Sequence, residues 1–130
     1  MTNRHIYALL NREHTSETIE WLLGGFEEHI ATGVALEKCL SINRRGFLLE
    51  QRNRHIRNAW HMLSTDLSEN QRATHLLKEI EFFYEVMRLH TLSYPDSTWP
   101  ALQTEIYYAL KISIGVPGSV RQIINIVNEQ

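Results

Sequence analysis

Apolar residues recur at three- and four-residue spacing along almost the whole chain, from Ile6 to Val127. Nowhere do they alternate with polar residues for long enough to make a strand, since Ile112-Ser113-Ile114 is too short to count. This period predicts an all-α fold. A short helix is expected from Asn3 to Glu13, with Ile6, Leu9 and Leu10 on one side. A second is expected to be capped by Ser16 and ended by Gly33, with Ile19, Leu22, Leu23, Phe26 and Ile30 as one buried stripe. Gly24-Gly25 within it suggests a kink or a close helix crossing. Val34 to Leu40 reads as a short helix, and Ser41 to Asn43 as a turn. Arg44 to Leu63 follows as a longer helix, with Leu49, Ile56, Trp60 and Leu63 on one face. The pair Ser68 and Gln71 forms a capping box that opens the clearest helix, to about His90. Ala73, Leu76, Leu77, Ile80, Phe83 and Met87 mark its inner face. Tyr94 to Ser97 reads as a turn, and Pro100 as the first position of the next helix. Leu102, Ile106, Ala109 and Leu110 face inward there. Ser119 and Gln122 open a last helix, through about Val127.

These segments amount to six or seven helices in a compact bundle or orthogonal array. With 130 residues, 43% of them hydrophobic, and no linker or repeat, residues 1–130 are expected to form a single domain. The lone Cys39 excludes an internal disulfide. No apolar run reaches the ~18 residues of a membrane span, and no apolar segment of a signal peptide follows Met1. The cytoplasm is the expected location and no membrane partner is expected.

Charge gives the main functional signal. Between Lys38 and His61 lie six basic residues, Lys38, Arg44, Arg45, Arg52, Arg54 and Arg57, against the single acid Glu50. The other seven Lys and Arg residues face fourteen acids, so a net charge of -2 hides a strong asymmetry. Such a basic stretch attracts polyanions. The segment Leu36 to Phe47 resembles the core of repressor-type helix-turn-helix motifs, over about residues 34–63. The resemblance gives Cys39 the place of the small residue on the first helix. It puts Ser41 where glycine is common, Ile42 as the following apolar residue, Asn43 as the cap and Phe47 as the inward residue of the second helix. It implies that the second helix enters the major groove. Arg44 and Arg45 would then read bases and the other cations would hold phosphates. The expected function is therefore a small nucleic-acid-binding protein, a regulator or a subunit of a nucleic-acid complex, with double-stranded DNA favoured.

Two alternatives use other residues. One is a protein–protein interaction module, an inhibitor or adaptor of a larger machine, using the acidic surface or the C-terminal helix. Ile123, Ile124, Ile126 and Val127 make that helix apolar on more than one face, so it either docks inward or forms a homodimer contact. The other rests on Arg54 and His61, whose spacing resembles the arginine–histidine motif of the HEPN family of helical ribonucleases; the resemblance implies a pair acting on RNA across a dimer. Catalytic residues are otherwise not expected. Cys39 reads as a buried, inert thiol. His75 with Glu79, and Glu81 with Glu85, give too few ligands for a metal. No glycine loop for phosphate is present, and no cofactor is expected. Phe82, Phe83, Tyr84 and Met87 read as core, and so does Trp60; Phe82 and Tyr84 fall off the main stripe, which fits a central helix buried on more than one side or a dimer contact.

Overall fold

The computed structural model describes residues 2–90, 100–112 and 115–129. It is all-α. Seven helices occur among the described residues: α1 (Thr2–Leu10), α2 (Ser16–Thr32), α3 (Leu36–Cys39), α4 (Arg44–His61), α5 (Glu69–His90), α6 (Ala101–Lys111) and α7 (Val120–Asn128). No strand occurs among these residues, and no helix is long and apolar enough to cross a membrane. The chain divides into two compact units, Met1–Phe47 and Leu48–Gln130, so the division falls just after the first turn of α4. The turn expected at Tyr94 to Ser97 lies outside the described residues.

The N-terminal unit is built on small residues. Its N-cap for α2 is Thr15, one residue before the expected Ser16: the Thr15 hydroxyl oxygen accepts from the Thr18 backbone N–H at 3.2 Å. Thr18 is only 2% exposed. Its hydroxyl oxygen accepts from the Thr15 hydroxyl and lies 2.9 Å from Nδ1 of His5 on α1. His5 in turn stacks on Trp21, with ring centroids 5.0 Å apart. Trp21 closes the circuit by donating from Nε1 to the Leu40 carbonyl at 3.1 Å. The side chain of Leu40 lies against Gly25, where a Cβ would stand 2.0 Å from Leu40 Cδ2. The glycine pair therefore marks a close approach and not a break, because α2 runs on unbroken to Thr32. Gly33 ends it at φ 72°, its N–H bonded to the His29 carbonyl.

One expectation for α2 is overturned. Four of the five residues read as its buried stripe are exposed, Ile30 at 79%, Leu23 at 55%, Phe26 at 44% and Ile19 at 36%, and the fifth, Leu22, is half-buried. Thr18 and Gly25 are the buried residues, and Trp21, Leu22 and His29 are half-buried beside them. Polar groups that satisfy one another, and a glycine that admits Leu40, hold this interior together. The apolar residues are left on the other side.

The C-terminal unit has a conventional apolar core. Ile56, Ala59 and Trp60 of α4, with Leu63 just beyond it, meet Ala73, Leu76, Ile80 and Phe83 of α5. Ile106, Tyr107 and Ala109 of α6 and Ile123 and Ile126 of α7 complete it. The α5 stripe lies where its spacing predicted, with Leu77 and Met87 packed at the edge. Phe82 and Tyr84, expected in the core, are instead 63% and 51% exposed, because one helix face cannot hold positions 82, 83 and 84 together. α7 docks inward, with Ile124 and Val127 partly buried against the core. The capping box at α5 is reciprocal: Gln71 N–H bonds the Ser68 hydroxyl, and Ser68 N–H bonds the Gln71 amide oxygen. At α7 the Ser119 hydroxyl caps Gln122 N–H, while the Gln122 amide oxygen reaches one residue further back, to Gly118 N–H. Pro100 is the N-cap of α6, and the helix starts at Ala101.

The two adjacent glycines provide a matched test. Gly25→Ala places a methyl group into the Leu40 side chain, which is 4% exposed and would have to shift. It is expected to destabilise the protein by about 1–3 kcal/mol. At Gly24 nothing lies within 4 Å of an added Cβ, so Gly24→Ala is expected to stabilise by about 0.5–1 kcal/mol through helix propensity. Urea denaturation followed by circular dichroism measures both; equal shifts for the two variants would contradict the packing described for Gly25.

Candidate nucleic-acid interface

The segment between α3 and α4 is set by its backbone. α3 is a single turn whose N-cap, Ala35, has no side chain to cap with. The expected helix from Val34 to Leu40 therefore shrinks to Leu36–Cys39. The turn closes through Ser41 N–H to the Lys38 carbonyl at 3.0 Å and Ile42 N–H to the Glu37 carbonyl at 2.8 Å. Ser41 sits at φ 56°, in the left-handed region. This is the position where helix-turn-helix motifs commonly carry glycine, and the chain makes the turn with serine instead. Asn43 caps α4 as expected, its amide oxygen accepting from Gly46 N–H at 3.0 Å. Phe47 turns inward and packs on Tyr7 of α1, ring centroids 4.9 Å apart.

Cys39 does not fill the buried place the motif assigns to it. It is half-buried, and its thiol donates to the Val34 carbonyl at 3.6 Å. Its pKa is raised, first by desolvation and then by the Glu28 carboxylate. A raised pKa leaves less thiolate at neutral pH.

The six basic residues divide between the two units and between two kinds of use. In the N-terminal unit Lys38, Arg44 and Arg45 are exposed. None of the three side chains has a hydrogen bond or ion pair among the described residues. Arg44 and Arg45 stand in the first turn of α4, where the helix dipole is positive and no acid offsets them. Arg44 also borders an apolar groove of about 480 Å³, lined by Ile6, Leu9, Leu10, Trp21, Leu22, Leu40, Ile42 and Phe47, with Glu37 on its rim.

In the C-terminal unit Arg52 and Arg57 are turned to backbone and neighbouring groups. Arg57 donates from Nε to the Ile126 carbonyl near the end of α7 at 2.9 Å. Arg52 donates to the Asn53 amide oxygen at 2.9 and 3.1 Å and reaches the Gly115 carbonyl at 3.5 Å. Arg54 is exposed and is engaged with a neighbour. His61, expected half-buried, is exposed as well. Seven residues turn a helix by nearly two full turns, so Arg54 and His61 share one side of α4.

Sequence reasoning missed a polar cluster in this unit. His55 Nδ1 lies 2.6 Å from Glu105 Oε2, and Asn58 donates to the same oxygen at 3.4 Å. His55 also stacks on Tyr108, with ring centroids 5.4 Å apart. The partners are about fifty residues apart in sequence, so no local spacing could have shown them. His75 and Glu79 do pair, at 3.5 Å on the surface of α5. No group of three metal-ligating side chains occurs among the described residues.

The chain matches no protein-family model, no curated protein and no solved structure.

The left-handed Ser41 yields a direct test of the turn. Ser41→Gly removes the Cβ penalty of this conformation and is expected to raise stability by up to about 1 kcal/mol. Ser41→Val is expected to lower it by a comparable amount or more. Thermal melts of both variants would show the order Gly, Ser, Val; a destabilising glycine would mean that the turn is not left-handed in solution.

Proposed function

We propose that the N-terminal unit binds nucleic acid, double-stranded DNA in preference, through the α3–α4 turn. The observation that carries this reading is the pair Arg44 and Arg45, exposed and without an ion pair among the described residues, in the first turn of a capped helix. Two adjacent guanidiniums beside a positive helix end favour a phosphodiester backbone, and each can also fork onto a guanine edge. Lys38, on α3, adds a third cation within the same unit. The left-handed turn at Ser41 and the Asn43 cap support the resemblance to helix-turn-helix motifs, while the one-turn α3 departs from it. Arg52 and Arg57 leave the contact set, because their hydrogen bonds are made inside the C-terminal unit. The contact is therefore smaller than the sequence alone suggests: Lys38, Arg44 and Arg45. On this reading the protein is a regulator or a subunit of a nucleic-acid complex.

Fluorescence anisotropy with duplex DNA, single-stranded DNA and RNA tests it. Affinity is expected to fall steeply with salt, as counterion release requires. The double variant Arg44→Ala, Arg45→Ala is expected to lose about 1–3 kcal/mol for each arginine that reads a base. Its salt slope is expected to flatten by about one for each phosphate it no longer neutralises. Arg57→Ala is expected to do the opposite. It loses stability on the order of 1–2 kcal/mol, because the Ile126 carbonyl loses a charged donor, and keeps its affinity. Unchanged affinity in the double variant would remove the assignment.

A further inference from the structure

The outward face of α2 has a regular pattern. Ile19, Leu23, Phe26 and Ile30 follow one another at intervals of four, three and four residues. This is the alternation of the two seam positions of a heptad. At 100° per residue the four fall within roughly 60° of the helix circumference. All four are exposed, and the buried residues of the same helix, Thr18 and Gly25, lie on a different side of it. Glu20 and Glu27 each follow a seam residue and lie along one edge of the stripe. Both are exposed, and neither is ion-paired among the described residues, unlike Glu17, which Arg4 holds at 3.0 Å.

We propose that this face docks an amphipathic helix of another protein, one with a heptad seam of its own and with Lys or Arg along the edge that meets Glu20 and Glu27. Charge selects this occupant over the alternatives. In an antiparallel pairing of α2 with a second copy of itself, the seams would match, but Glu20 would stand beside Glu27 of that copy, and like charges at flanking positions oppose pairing. A parallel pairing would set Glu27 beside Leu22 and leave the carboxylates without cations. An anionic membrane surface is disfavoured for the same reason, because α2 carries Glu17, Glu20, Glu27 and Glu28 and no Lys or Arg. A basic helix satisfies both the apolar seam and its acidic edge. The proposal does not depend on nucleic-acid binding, which uses residues of α3 and α4.

The test uses the full chain and two synthetic three-heptad peptides, both with leucine at the seam positions. One has lysine at every flanking position and the other glutamate. Labelled peptide is titrated with protein. The lysine peptide is expected to bind about tenfold or more tightly than the glutamate peptide, by a difference that shrinks with salt. Leu23→Asp with Ile30→Asp is expected to abolish binding without unfolding the protein, because both side chains are exposed; circular dichroism checks the fold. Glu20→Lys with Glu27→Lys is expected to reverse the preference toward the glutamate peptide. Failure of both peptides to bind, or equal binding of the two, would overturn the proposal. So would sedimentation showing that the chain dimerises and that Ile30→Asp makes it a monomer, since a second copy would then cover the stripe.

Discussion

The C-terminal unit depends on how α4 ends. The last carbonyls of a helix have no partners within it, and here they come to lie against the core at Trp60 and Leu63, both nearly buried. The Leu63 N–H reaches the Trp60 carbonyl at 3.1 Å, and Arg72, in the first turn of α5, adds further donors: its Nε bonds the Trp60 carbonyl at 3.1 Å and a terminal nitrogen bonds the Leu63 carbonyl at 3.3 Å. The guanidinium also lies 4.9 Å from the centre of the Trp60 ring. One side chain thus helps satisfy the end of α4, covers its largest aromatic residue and ties it to α5. The reciprocal Ser68–Gln71 cap fixes where α5 starts, and so where Arg72 stands. Arg57 repeats the device at the end of α7, and Arg52 reaches the Gly115 carbonyl in the approach to it. Arginine suits this use because it stays charged and offers several donors in a fixed plane.

That use of arginine decides how the basic stretch should be read. A count of charges treats Arg44 and Arg57 alike. The structure separates them by where their hydrogen bonds go: a guanidinium spent on backbone carbonyls is part of the fold, and one with no partner at a helix start can meet a ligand. The N-terminal unit has no comparable apolar core to support, since Ala8, Thr18, Gly25 and Leu40 are its buried residues. It holds together by the chain from Thr15 through Thr18, His5 and Trp21 to the Leu40 carbonyl, and by the fit of Leu40 over Gly25. So small an interior leaves large apolar side chains outside it, on α2 and around the groove by Phe47.

Local patterns were legible in the sequence where local physics decides. The all-helical class, the α5 stripe, the Ser68–Gln71 box and the Asn43 cap all follow from spacings within a turn or two, whereas the pattern of α7 left open whether it docks inward or meets a second copy. What failed was of another kind. Periodicity found the apolar stripe of α2 but could not say whether anything covers it, and Thr18, a residue with no apolar signal, takes the buried side. The one-turn α3 escaped because Val34 and Ala35 look helical, yet Gly33 has already turned the chain and Ala35 cannot cap. Tyr107, 1% exposed, was missed because its neighbours Ile106 and Ala109 already account for the inner face. The roles of Arg52, Arg57 and Arg72, and the His55–Glu105 pair, depend on partners brought together by tertiary packing.

The sign of charge on each element then bears on how the two proposed surfaces would work together. In the N-terminal unit four of the six acids lie on α2, whereas Lys38, Arg44 and Arg45 lie on α3 and α4, so the net charge of the chain describes neither surface. A basic helix seated on Glu20 and Glu27 would neutralise carboxylates that otherwise repel phosphate. Its arrival would therefore favour nucleic-acid binding at Arg44 and Arg45, even without contact between the two ligands. By linkage the effect is reciprocal, since each ligand must strengthen the other by the same factor. Screening limits it to a Debye length, about 8 Å at physiological salt. Positive coupling that fades as salt rises would thus mark an electrostatic origin, whereas coupling that persists at high salt would require a change in the shape of the unit.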